Sequence, residues 1–107
     1  MMTITDWNIE AMTGYKPKTT FYTDFSIADN YGIEAVKDTY KRAFASWKED
    51  YEYLTELVMA LNWKIWEHYQ SNPKLAEVYT ELWKKADVYA QKNLKGEELS
   101  YFYSTTD

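Results

Sequence analysis

Residues 33–70, IEAVKDTYKRAFASWKEDYEYLTELVMALNWKIWEHYQ, decide how this chain folds. Apolar side chains fall at Ile33, Val36, Tyr40, Ala43, Phe44, Trp47, Tyr51, Leu54, Val58, Leu61, Ile65 and Tyr69, mostly in steps of three and four. That is α-helical periodicity. Read as one helix, the run would extend roughly 55 Å at 1.5 Å per residue, too long for one small compact domain. A break is therefore predicted at SWKED, residues 46–50, where Ser46 and Glu49 have capping-box spacing and Asp50 offers a second cap. The two resulting helices run from Ile33 to Ser46 and from Asp50 to Gln70.

The signals on either side agree with a helical protein. Asn72 as cap and Pro73 in the first turn open a helix carrying Leu75, Val78, Tyr79, Leu82, Ala86, Tyr89 and Leu94, which ends near Lys95 before Gly96. The tail EELSYFYSTTD predicts one further turn, with Leu99, Phe102 and Tyr103 packing back. Upstream, Asp6 caps a short helix ending at Gly14, and YKPKTTFY around Pro17 is an extended linker, because the residue before proline is pushed out of the helical region. Asp24 caps a second short helix in FSIADNY, with Gly32 as its left-handed stop. No alternating run asks for a strand. The expected fold is all-α: one domain over residues 1–107, a small bundle of three main helices plus short N- and C-terminal helices.

Composition limits the function classes. Of 107 residues, 46% are hydrophobic and 19% aromatic, with three glycines and two prolines, a globular composition rather than a disordered one. The absence of cysteine excludes disulfides, thiolate metal sites and cysteine nucleophiles, and suits a reducing compartment. A net charge of -5 disfavours general phosphate binding, which relies on clustered Lys and Arg. MMTITDWNIE lacks the basic and apolar regions of a secretory signal, and LVMALNW is far shorter than the roughly 20 residues that span a bilayer. A soluble, cytoplasmic protein without membrane contact is expected.

On a helical wheel the stretch around residues 54–70 carries two apolar stripes. One holds Leu54, Leu57, Val58, Leu61, Ile65 and Tyr69; the other, nearly opposite, holds Met59, Trp63 and Trp66. Glu49, Glu56 and Glu67 separate them on one side, Thr55 and Asn62 on the other. A surface helix needs only one apolar stripe, so the second must be covered. Either the helix is central and the aromatic-rich N-terminal segment (Trp7, Ile9, Met12, Tyr15, Phe21, Phe25) covers it, or Met59, Trp63 and Trp66 contact a protein partner or a second copy of the chain. Within the stripe, Trp66 is expected in the core. Trp63, flanked by Asn62 and Lys64, is the expected contact residue.

Chemical constellations are sparse. Glu49, Glu52 and Glu56 could present carboxylates to a hard cation, but lysine-rich flanking helices account for them by charge complementarity. His68 has no cysteine beside it for a zinc site and Glu67 is expected to point elsewhere, so His68 is read as a partly buried imidazole with a satisfied hydrogen bond. No nucleophile turn or glycine-rich phosphate loop occurs. Lys16 and Lys18 among the aromatics of YKPKTTFYTDF, with Lys37, Lys41 and Arg42 in KDTYKRAF, have the composition of a small nucleic-acid contact.

The stretches DFSIAD, KDTYKRAF, YLTELVMALNWKIW and LKGEELSYFY resemble a group of small uncharacterised proteins of gut Firmicutes associated with mobile elements. The resemblance covers most of the chain from Asp24 onward. It implies a bacterial setting and accessory or regulatory work, and brings no activity, cofactor or catalytic residue. The expectation is a non-enzymatic protein-interaction module without catalytic, cofactor or metal residues; the alternative is a nucleic-acid-associated protein.

Overall fold

The computed structural model describes residues 18–106. The helix expected from Asp6 to Gly14, the apolar residues Trp7, Ile9, Met12 and Tyr15, and Lys16 lie outside the described residues. Within them every regular element is an α-helix: α1 (Phe21–Asp29), α2 (Ile33–Trp47), α3 (Tyr51–His68), α4 (Pro73–Asn93) and α5 (Glu97–Thr106).

The break in the long periodic run falls where it was predicted, through one of its two signals. Asp50 takes an extended backbone (φ -98, ψ 109), and its Oδ1 accepts hydrogen bonds from the amides of Glu52 at 3.1 Å and Tyr53 at 3.2 Å. Those are orphan donors of a first helical turn. The Ser46–Glu49 capping box is not used: α2 continues through Ser46 to Trp47, and an N-cap needs the non-helical backbone that Asp50 supplies.

Other boundaries differ from expectation: α3 ends at His68 rather than Gln70 and α4 at Asn93 rather than Lys95. Asp24 does not cap α1; the helix begins at Phe21, and Asp24 lies in its first turn, where a carboxylate meets the positive end of the helix dipole. Its Oδ2 accepts from the Thr20 hydroxyl at 3.1 Å. Gly32 does not stop α1, which closes at Asn30; with φ 103 and ψ -178, a conformation open chiefly to glycine, it is the residue that starts α2. The C-terminal helix is ten residues rather than one turn. Phe102 is its buried anchor, Leu99 is half-buried, and Tyr103 is exposed rather than packed, its hydroxyl lying 3.4 Å from the Gln91 amide oxygen.

Helix α3 is central, touching each of the other four. Its Leu54, Leu57, Val58 and Leu61 meet Leu75, Tyr79, Leu82, Ala86 and Ala90 of α4 in one core, to which α1 adds Phe21, Tyr22 and Phe25, and α2 adds Val36 and Tyr40. The rings of Phe25 and Tyr79 meet edge to face at 5.5 Å, so α1 also reaches α4.

Candidate functional sites: a partly buried charge cluster and an aromatic cleft

Lys64 follows Trp63 in α3 and would be solvated on a simple surface helix. Instead its side chain is 0% exposed. Its ammonium donates to Asp29 Oδ2 at 2.6 Å, to the Ser26 hydroxyl at 3.1 Å and to Glu67 Oε2, one acceptor for each of its hydrogens. It also lies 4.9 Å from the ring centre of Tyr22 and 5.9 Å from that of Tyr79, within range of the electron-rich faces. Each carboxylate is shared. Asp29 Oδ1 accepts from the Tyr79 hydroxyl at 2.5 Å and Oδ2 from His68 Nε2 at 2.8 Å; Glu67 Oε1 accepts from the Tyr22 hydroxyl, and its Oε2 lies 3.2 Å from His68 Nε2. The His68 ring stacks on Tyr79 at 5.8 Å. Among the described residues no buried side-chain nitrogen or oxygen lacks a partner.

His68 is thus partly buried and hydrogen-bonded, as expected. Glu67 does not point elsewhere: it joins His68 and Asp29, because α1 delivers Asp29 to the gap between α3 and α4. Asp29, Glu67 and His68 bring one ligand atom each within 4.8 Å of one another, a donor set for a cation. The Lys64 ammonium bonds to both of the carboxylates in that set, so the side chain itself supplies the positive charge. The arrangement ties three helices together electrostatically, and none of the three clefts described below is lined by it.

Burial holds protons on the phenols around this core. It raises Tyr79 and Tyr22 far above the usual tyrosine range, assisted by the hydrogen bonds to Asp29 and Glu67 respectively, and it pushes Tyr40 up to about 12. A group whose folded pKa is raised contributes stability that is complete below its unfolded value near 10 and is lost as pH rises through the folded value. For Tyr40 alone the loss is on the order of 2 kcal/mol by pH 12. Thermal melts are therefore expected to fall steeply above pH 10, and Tyr40→Phe to flatten that fall; an alkaline limb identical in this variant would remove Tyr40 from the account.

The acidic run at the start of α3 and just before it has a different use from either sequence reading. Glu49 is exposed, Glu52 pairs with Lys18, and Glu56, only 3% exposed, accepts from the amides of Lys18 at 2.8 Å and Thr19 at 3.0 Å and from the Thr19 hydroxyl at 3.0 Å. The partner is the segment entering α1 rather than the lysine-rich helices. Pairing with Glu52 also raises the Lys18 pKa.

The second apolar stripe of α3 divides. Met59 and Trp63 line a cleft between α3, α4 and α5, faced by Trp83, Phe102 and Tyr103 and edged by Asn62, Asp87 and Gln91. Trp63 is half-buried, edge-on to Tyr22 at 6.3 Å. Trp66 is not core, against the expectation: it is 64% exposed, touching Tyr69 edge to face at 5.6 Å. It occupies the last turn of α3, near the end of the helix.

The basic residues are also dispersed. Lys18 is engaged by Glu52, and Arg42 pairs with Asp38 at 3.2 Å beside a groove between α1 and α2. Lys37 and Lys41 face a different groove, between α2 and α4. No helix among the described residues is long and apolar enough to cross a membrane. No protein-family model, curated protein or solved structure matches this chain.

Proposed function

We propose that the protein is a non-enzymatic interaction module of accessory or regulatory kind, whose partner protein seats in the cleft between α3, α4 and α5. The observation that carries this reading is the lining of that cleft. Trp63, Trp83 and Tyr103 stand around Met59 with a polar edge of Asn62, Asp87 and Gln91, and large aromatics and methionine inside a polar rim are the composition of interface cores. The charge cluster supports it indirectly, since its groups are spent on one another rather than presented to a substrate. The nucleic-acid alternative is weakened because Lys18 and Arg42 already have carboxylate partners.

The test is capture from a lysate of the host cell, run with and without nuclease treatment, on immobilised wild type, Trp63→Ala and Trp66→Ala, with washes at high salt. A protein retained by wild type and Trp66→Ala and reduced about tenfold or more on Trp63→Ala is expected, since truncating a central aromatic anchor costs 2 kcal/mol or more of binding. Recovery of nuclease-sensitive material alone, or equal capture by the Trp63 variant, would overturn the proposal.

A further inference from the structure

The groove between α2 and α4 is floored by Tyr40, Phe44, Val78 and Leu82, of which Tyr40 and Leu82 belong to the core. Along its α2 side stand Lys37, Lys41 and Lys48, and along its α4 side Glu77, Glu81 and Lys85. Among the described residues none of these four lysines has a carboxylate within ion-pair distance, although the two glutamates line the same groove. Lys48 lies 5.9 Å from the Phe44 ring centre. The chain carries 17 acidic and 12 basic residues, yet here it sets a row of unpaired cations beside an apolar floor. Opposite charges across the groove are left unjoined, which leaves room between the rims.

We propose that this groove docks an amphipathic helix of a partner protein, apolar on the face it lays over Tyr40, Phe44, Val78 and Leu82, with carboxylates along the edge that meets Lys37, Lys41 and Lys48. The cationic row attracts and orients the acidic edge, and the partly exposed Phe44 and Val78 supply the apolar contact. Glu77 and Glu81 distinguish this occupant from a nucleic acid: they repel a phosphate backbone, whereas a helix can turn a neutral or basic edge towards them. This surface is separate from the aromatic cleft, and neither proposal depends on the other.

The experiment is fluorescence anisotropy on the full chain with three labelled probes. These are a designed amphipathic peptide of about five helical turns with leucines on one face and glutamates along one edge, the same peptide with lysine for each glutamate, and an oligothymidylate. The acidic peptide is expected to bind at least about tenfold more tightly than the lysine peptide and than the oligonucleotide, with the preference shrinking as salt is raised. In the doubly reversed variant Lys37→Glu/Lys41→Glu the order of the two peptides is expected to invert. Both side chains are exposed, so an unchanged melt can be required of the variant before binding is scored, with Lys37→Gln/Lys41→Gln replacing it if the melt moves. Failure of the acidic peptide to bind, indifference to peptide charge, preference for the oligonucleotide, or an unaltered order in the charge variant would each overturn the proposal.

Discussion

Replacing Lys64 by Met is expected to cost about 3 kcal/mol of unfolding free energy at neutral pH. Removing one partner of a buried ion pair typically costs roughly 3–5 kcal/mol, because the partner left behind stays charged and desolvated. In Lys64→Met two carboxylates, Asp29 and Glu67, would face each other with His68 between them. The lower end of the range applies because the Glu67 side chain is 29% exposed, so water can reach part of the stranded charge. The loss is expected to be recovered by at least half in the variant that also carries Asp29→Asn and Glu67→Gln, since neutral amides remove the repulsion. Urea denaturation of the three proteins measures both effects. A single-variant loss under about 1 kcal/mol, or no recovery, would mean that the cluster does not hold the helices as its geometry indicates.

Phe102→Ala is the second large effect, and its form differs. Truncating a buried phenylalanine costs roughly 3–5 kcal/mol when the surroundings stay in place. Here Phe102 is the one fully buried side chain of α5, so the cost is limited by what docks that helix: once the anchor is gone, α5 separates before the rest unfolds. Hydrogen exchange is expected to accelerate by about two orders of magnitude in the amides of α5, equivalent to about 2.7 kcal/mol, while those in the middle of α3 and α4 keep most of their protection. Tyr101, Phe102 and Tyr103 also line the aromatic cleft, so the same variant should lose any partner that Trp63→Ala loses. Uniform acceleration across all helices would instead make α5 part of one cooperative unit.

The architecture was legible in the sequence because it is written locally. Periodicity along α2, α3 and α4, the Asn72 cap with Pro73, and the Asp50 cap are signals contained within a few residues of where they act. The charge cluster was not legible, because its meaning depends on α1. Lys64 between two tryptophans reads as a solvated flank until Asp29, 35 positions earlier in the chain, is known to lie 2.6 Å away. One signal did exist: Glu56, Lys64 and Glu67 form a polar strip between two apolar stripes. A helix covered on both sides cannot leave such a strip wholly in water. The Trp66 expectation failed for a related reason. A helical wheel assigns direction around a helix but not how far along it the neighbours extend.

Tyr22, Ser26, Asp29, Lys64, Glu67, His68 and Tyr79 share one set of hydrogen bonds drawn from three helices, so their substitutions are not expected to be independent over the history of such a chain. Exchanging Tyr79 for Phe strands an oxygen of Asp29, and exchanging Asp29 takes an acceptor from Lys64, Tyr79 and His68 at once. The aliphatic positions of α3 and α4 are freer, since volume lost at one can be regained at a neighbour. Divergence is therefore expected to erase the leucines and alanines one at a time, while the seven polar positions pass down together or are abandoned together. Descendants of a common ancestor, long after their overall identity has faded, would still be recognisable by that set of seven and its spacing.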